Sequence, residues 1–245
     1  MVRKHVSGRV LALAGAAFST VLAGAAEATL LWDGDASRGT GVFKAFGTGN
    51  CASPSTLTAA SDSTHGRVWR YHKPRNSNRC ENHGIKLNGS SFVFQNNSTY
   101  YLGWRSRLSS TANNNANFQW KSYGTGHVQN FPVVLKMIDG QMNLMQRQPG
   151  GVETFLWRRG ISANSWNHFI LGIHLSSATR GGWIELWFNG VKQTFLGGRG
   201  QRYACRTFDS GRHNCPKWGV YGGRELTMTN YIDGLKVGTT MGDVD

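Results

Sequence analysis

The sequence predicts an all-β fold, a jelly-roll sandwich of two antiparallel sheets, and three observations carry that expectation. Apolar and polar residues alternate with a period of two in several runs. Glycine is abundant (32) and proline scarce (5), with turn-like clusters between the runs. Helical periodicity is nearly absent. Each alternating run has one face to bury, and two sheets packed face to face are how a chain made of such runs covers them.

The elements follow in order. Leu30 to Trp32 reads as a first strand lying beside the last, roughly Asn230 to Val237, which closes one sheet as in many jelly rolls. From Tyr100 to Leu108, residues Leu102, Trp104 and Leu108 share one side, and Tyr101, Arg105 and Arg107 the other. Asn113 to Asn117 reads as a loop. In Phe118-Gln119-Trp120-Lys121 the alternation puts Phe118 and Trp120 on one face and Gln119 with Lys121 on the other. Pro132 to Met137 is a further strand. Phe169, Leu171, Ile173 and Leu175 then form a strongly apolar face expected to lie between the sheets. Between Gly182 and Phe195, Ile184, Leu186 and Phe188 alternate with Trp183, Glu185 and Trp187, and Asn189-Gly190 supplies the positive backbone angles of a tight hairpin.

The chain opens with marks of export. Arg3, Lys4 and Arg9 precede a run of small and apolar residues from Val10 to Ala26, and Ala26-Glu27-Ala28 offers small residues for cleavage. Residues 1–28 are therefore read as a secretory signal peptide and 29–245 as one β domain, large enough for a sizeable core, with no linker or internal repeat. The expected product is a soluble extracellular monomer with no membrane partner.

Loss of residues 1–28 removes three of the 27 basic and one of the 13 acidic residues, leaving a formal charge of +12. A field of that sign attracts polyanions. Zinc-finger spacing, basic heptads and helix-turn-helix patterns are missing, and export points away from nucleic acid. Four cysteines in an oxidising compartment suggest disulfides, Cys51 with Cys80 and Cys205 with Cys215 by proximity, although three pairings are open. The sequence has no CxxC or CxxxH cluster to suggest a metal centre.

Three short motifs carry chemistry: Arg79-Cys-Glu81 followed by His83, Gln119-Trp-Lys121, and Lys217-Trp-Gly-Val-Tyr221. Strand alternation places Arg79, Glu81 and His83 on one face, Gln119 with Lys121 on another, and Lys217, Gly219 and Tyr221 on a third; if the strands neighbour one another, these faces form one polar patch. With the Trp-rich run from Trp183 to Gly190 and the ending Tyr231 to Val237, this set resembles jelly-roll polysaccharide lyases of the glucuronan lyase type, and more distantly heparin lyase I and jelly-roll alginate lyases. The resemblance implies a concanavalin A-like jelly roll. Where alginate lyases carry histidine two residues after the glutamine, this chain has Lys121, and where they open the last motif with tyrosine it has Cys215.

The resemblance also implies a reaction. A lyase removes the C5 proton of a uronic acid and expels the glycosidic oxygen at C4. Abstraction drives more negative charge onto the sugar carboxylate, so donors must meet it. Tyr221 is the expected base and acid, with His83, Gln119 and Arg79 as catalytic donors. A free tyrosine has a pKa of about 10, and cations such as Lys217 and Arg79 favour a phenolate. Lys121, Lys217, Arg147 and Lys136 are expected to bind substrate, and Trp120 is either a sugar platform or a core residue. The predicted activity is endo-acting β-elimination on a polyuronate, glucuronan favoured.

Each residue also has a plainer reading: a strand tyrosine packs, Gln119 bonds across strands, and Arg79 with Glu81 forms a surface ion pair. His168 reads as structural, His65, His72 and His213 as loop residues, and His127 as bordering the groove. A glycosidase would need two carboxylates about 5 Å apart, yet the mature chain has only Glu81, Glu153, Glu185 and Glu225 and no closely spaced acidic run. A lectin-like module would hold acidic glycan without a phenol aimed at C5. The chemistry requires no cofactor. A structural calcium, known in the resembled enzymes, would draw on Asp33, Asp35 and Asp233. Asn88 and Asn97 stand in glycosylation sequons.

Overall fold

The computed structural model describes residues 1–2, 29–45, 50–210 and 213–245, so the expected export signal lies almost wholly outside the described residues. The first strands are β1 (Leu30–Asp33), β2 (Phe43–Ala45), β3 (Thr56–Asp62), β4 (Gly66–Lys73), β5 (Arg79–Glu81) and β6 (His83–Leu87). Next come β7 (Ser90–Ser91), β8 (Thr99–Leu108), β9 (Ala116–Tyr123), β10 (Val133–Ile138), β11 (Gln141–Arg147) and β12 (Glu153–Gly160). The last are β13 (Trp166–His174), β14 (Gly182–Phe188), β15 (Val191–Lys192), β16 (Tyr203–Cys205), β17 (His213–Tyr221) and β18 (Met228–Gly238). Among the described residues the only helical segments are three-residue 3-10 turns.

A nine-stranded sheet runs β15-β14-β13-β8-β18-β4-β3, with β1 on β18 and β16 on β14. The facing six-stranded sheet runs β12-β11-β10-β9-β17-β5, and β2, β6 and β7 form a small third sheet. The first and last strands pair antiparallel as expected, Trp32 opposite Val237. In the hairpin, Asn189 and Gly190 have φ of 48° and 78°, the left-handed values that a two-residue turn requires. The returning strand ends at Lys192, where the chain leaves the sheet and Phe195 enters the core.

Alternation decides which side chains meet between the sheets. Trp104 from β8 stacks on Phe118 of β9 with ring centroids 4.8 Å apart and on Phe169 of β13 at 5.5 Å, while Trp218 of β17 lies 5.7 Å from Phe118. Aromatic pairs at such separations add roughly 0.5–1.5 kcal/mol each beyond the area they bury. Trp120 belongs to this layer. Its ring is fully buried and its Nε1 donates to the Thr207 carbonyl at 2.9 Å, so it is a core residue and no sugar platform.

Cys51 and Cys80 form a disulfide, as expected. Cys205 and Cys215 do not; both are buried free thiols. Cys205 sits on β16 at the edge of the nine-stranded sheet, opposite Gly182, and Cys215 sits on β17 within the six-stranded sheet, opposite Lys121. Closeness in sequence misled here because the intervening loop carries the chain from one sheet to the other. Non-reducing peptide mapping of the purified protein should therefore recover Cys51–Cys80 as a linked pair, with Cys205 and Cys215 alkylated only after unfolding; a Cys205–Cys215 peptide would contradict the fold at this loop.

Candidate active site

The outer face of the six-stranded sheet collects the three motifs, because β5, β17 and β9 are neighbours. Lys217 stands opposite Gln119, Cys215 opposite Lys121, Gly219 opposite Glu81, and Tyr221 opposite Arg79. Phe118 and Trp120 face the core, so Gln119 and Lys121 face outward, as the alternation predicts.

At the floor of the site is a buried carboxylate. Glu81, 1% exposed, accepts from Lys217 Nζ at 2.9 Å and from Gln119 Nε2 at 2.5 Å. Arg79 NH1 approaches the same carboxylate at 3.5 Å. An ion pair withdrawn from water survives only if its remaining hydrogen-bonding capacity is met, and here Gln119 supplies that partner. Lys217 is itself 1% exposed. It therefore acts on the charge of the site rather than as the substrate contact expected of it.

Above this floor the residues are half-buried. The Arg79 guanidinium lies over the Tyr221 ring, 3.9 Å from its centroid, a cation–π contact worth about 1 kcal/mol. Tyr221 also packs on an apolar patch of Ala116, Val134 and Met145. Its register depends on Gly219, whose φ of 143° and missing side chain permit a bulge; a Cβ there would lie 2.1 Å from the Cys80 carbonyl oxygen. The Gly219 carbonyl accepts from Asn230 of the opposite sheet at 3.0 Å, and Asn230 in turn accepts from Ser106 at 2.6 Å. Bulges of this kind re-aim the side chain that follows.

On the other side of Gln119, Lys121 donates to Asn130 and lies 5.1 Å from the centroid of the Tyr123 ring. Burial, with Lys217 beside it, pushes the Lys121 ammonium down to about 8. Tyr123 stacks on His83 with centroids 3.9 Å apart. Its buried hydroxyl has no partner, and burial together with the charges of Cys215 and Glu81 raises the phenol far above its ordinary value. His83 is pushed down to about 4, mainly by burial and then by Lys44, His213, Lys217 and Lys121, so its ring is neutral at pH 7.

Two residues of this site escaped the sequence reading. Tyr123 was hidden at the end of a strand, although it is two residues beyond Lys121 and so on the same face. His213, expected in a loop, is the first residue of β17, and its ring lies 5.9 Å from that of His83. Lys136 and Arg147 share Glu153, each at 3.6 Å, further along the same sheet. His127 is in the loop after β9, bonded to the Gly124 carbonyl. His65 pairs with Asp233 and His72 with Thr229. The carboxylates expected around a calcium are engaged separately: Asp33 holds Arg38, Asp35 caps a 3-10 turn, and Asp233 holds His65. Glu185 is on the nine-stranded sheet, held by Arg202 and Lys192.

The outer face of a two-sheet jelly roll thus gathers cations, amide and phenol around one neutralised carboxylate. The family profile described as "Polysaccharide lyase" matches residues 40–236, and the chain belongs to that family. Among solved structures it is similar to alginate lyase PA1167 from Pseudomonas aeruginosa, at 16% identity over 74% of this chain and 86% of that one, with a TM-score of 0.52. It is similar at the same TM-score to alginate lyase A1-II', a member of polysaccharide lyase family 7, at 14% identity over 75% and 84% of the two chains. The PL-14 alginate lyase from Aplysia kurodai matches at 11% identity over 86% of this chain and all of that one, with a TM-score of 0.50. At these identities the likeness shows the fold. No curated protein matches by sequence.

The buried pair gives a stability test. Glu81→Gln leaves the Lys217 ammonium buried without a counter-charge, which should cost about 3–5 kcal/mol in chemical denaturation; adding Lys217→Met should recover part of it. A loss below about 1 kcal/mol would mean the pair is solvated. Histidine depression gives a second test. The unfolded chain takes up the His83 proton near pH 6.5, the folded chain only near 4, so stability held above pH 6.5 is lost as pH falls through that window. His72, His168 and His213 are shifted the same way by burial. His83→Gln should make the slope of unfolding free energy between pH 6.5 and 4 shallower, and an unchanged slope would count against a buried neutral imidazole.

Proposed function

We propose that this polysaccharide lyase is a secreted, endo-acting enzyme that cleaves a polyuronate, glucuronan first among candidates, by β-elimination. The observation that carries the reading is the composition of the outer sheet face. Its one central carboxylate, Glu81, is consumed by Lys217, Gln119 and Arg79, while phenols, amide, imidazole and cations surround it. Hydrolysis needs a carboxylic acid and a carboxylate free to act. Elimination needs a proton acceptor and donors for a developing dianion, which is what this face offers.

In the proposed cycle the sugar carboxylate lies over Gln119, His83 and Lys121. The second N–H of the Gln119 amide, one N–H of the neutral His83 ring and the Lys121 ammonium meet the charge that accumulates as the C5–H bond breaks. Tyr221, held under the Arg79 guanidinium, takes the C5 proton as phenolate. The electron pair left at C5 forms the C4–C5 double bond, and the C4–O bond breaks. In glucuronate the C5 proton and the C4 oxygen lie on the same side of the ring, so the same phenol returns its proton to the departing oxygen. Tyr123 is the wall of the site beside His83, since its phenol is held strongly protonated.

Other features support the finer reading. The site is a sheet face rather than a blind cavity, and a polymer can lie across it, as endo-action requires. Further along, Lys136 and Arg147 are placed to meet additional carboxylates, although Glu153 competes for both. The net charge draws in an anionic polymer. The export-like N-terminus and the Cys51–Cys80 disulfide agree with an extracellular protein, which we take to act as a monomer. The cycle as drawn calls on no cofactor, and nucleic acid and membrane have no part in it.

The test follows ultraviolet absorbance of the unsaturated uronate with glucuronan, alginate, heparin and pectate as substrates. Growth on glucuronan that falls at least about 1,000-fold in Tyr221→Phe, with fold retained, is the expected result, since the variant removes the only proton carrier of the cycle. Reducing ends without absorbance would overturn elimination, and full activity in the variant would overturn Tyr221. With Lys121 near 8, kcat/KM should decline as pH rises past 8 and its ammonium is lost, and Lys121→Arg should move that limb upward.

A further inference from the structure

Beside the catalytic residues is a second constellation, of which elimination as drawn uses His83 alone. One ring nitrogen each of His83 and His213 and the Sγ of Cys215 all lie within 4.8 Å of one another, the only such cluster of metal-ligating side chains among the described residues. Cys215 is a fully buried free thiol. Nε2 of His83 and Nε2 of His213 are both buried with no hydrogen-bond partner. An orphaned buried polar atom is destabilising, and two imidazoles each carrying one beside a buried thiol are an arrangement that a bound metal ion would satisfy.

The backbone explains how a set so scattered in sequence converges. His213 and Cys215 are two apart on β17, so their side chains project to the same side of the sheet. His83 enters from β6, which follows the Glu81 strand. Gly84, with φ of 59°, lets that turn approach: a Cβ there would stand 3.5 Å from Cys215 Sγ and 3.2 Å from Lys44 Cβ. Tyr123, stacked at 3.9 Å, fixes the plane of the His83 ring.

We propose that His83, His213 and Cys215 form a binding site for one soft d10 metal ion, copper(I) or zinc, and that its occupation withdraws His83 from the lyase reaction. A thiolate with two imidazoles is a sufficient set for three-coordinate copper(I) and three of the four ligands of a zinc site. With bonds of about 2.0–2.3 Å, ligand atoms around either ion are roughly 3.5 Å apart, so the cluster must contract by about 1 Å, within reach of side-chain rotation. Lys44, Lys121 and Lys217 lie near the sulfur. Burial pushes the Cys215 thiol up to about 12 despite these cations, so a metal ion must displace the thiol proton to solvent on binding, and the cations disfavour added positive charge. Copper(I) with one thiolate is neutral, whereas zinc with one thiolate carries +1, so the local field selects copper(I) over zinc unless zinc takes an anionic fourth ligand. The metal site stands on geometry alone; the inhibitory half rests on the role given to His83 above.

The test is equilibrium dialysis of the purified chain against copper(I) buffered by a competing chelator, and separately against zinc, with bound metal counted by mass spectrometry. One equivalent should be retained. Cys215→Ser and His213→Gln, each checked for folding by circular dichroism, should weaken retention by about tenfold or more, since even outer-shell changes at metal sites cost that much. Less than half an equivalent of copper(I) and of zinc alike, or retention unchanged in both folded variants, overturns the site. Two variants are used because Cys215 is buried, and failure of one to fold leaves the other to decide. In the same samples metal loading should abolish the lyase activity of the wild-type protein, and should not lower the activity of either variant relative to its own metal-free sample. Stoichiometric binding with undiminished activity would overturn the inhibitory half alone, and a chain without lyase activity on any substrate would refute the functional reading while the dialysis result still judged the site.

Discussion

The outer face of the six-stranded sheet depends on one buried carboxylate. Glu81 is where β5, β9 and β17 are tied together by side chains, through Lys217 at 2.9 Å and Gln119 at 2.5 Å. The interaction is not strong because charges attract in a low dielectric, since desolvating both ions offsets most of that gain. Its importance lies in the asymmetry: once either partner is removed, the other is buried with its charge unmet. The three motifs are therefore interdependent, and neither Gln119 nor Lys217 can be read as an isolated substrate contact. Their primary partner is Glu81, and what they offer a substrate is what this pairing leaves over.

Around this hub the backbone is held from both sides. The disulfide at Cys80 anchors the strand that carries Arg79 and Glu81 to the Cys51 segment, and Glu81 N donates to the Asn50 carbonyl at 2.9 Å. On β17 the bulge at Gly219 is tied through Asn230 and Ser106 to the opposite sheet. The aim of Tyr221 is thus set by a glycine that lets two strands approach and by an amide from the far layer. A rigid site built this way pre-orients its donors, which is the main source of electrostatic catalysis.

The same crowding creates tension around His83. Its ring is neutral because water is largely excluded from it and, secondarily, because cations surround it. That condition suits a neutral hydrogen-bond donor for a carboxylate, and it also suits a metal ligand, for which a free ring nitrogen is needed. One residue serving both chemistries would make the two states mutually exclusive, with no movement of the backbone required.

The sequence by itself determined the fold class and the faces of the strands. Period-two alternation is a local property, and it placed Phe118 and Trp120 inward and Gln119 and Lys121 outward; the Asn189-Gly190 turn and the β1–β18 pairing were equally legible because turn chemistry and terminal strand patterns are local too. The short motifs, through family resemblance, picked out residues that the fold brings to one sheet face. What only the tertiary structure decided was which faces meet. Cys205 and Cys215 are ten residues apart yet belong to different sheets, while His83 and Cys215 are far apart in sequence and converge. Lys217 reads as a surface cation and is buried against Glu81, and His213 reads as a loop residue but opens β17 beside the site. Sheet order brings distant strands to hydrogen-bonding distance, and no local pattern encodes that order, because each strand's sequence specifies its own two faces and not its neighbours.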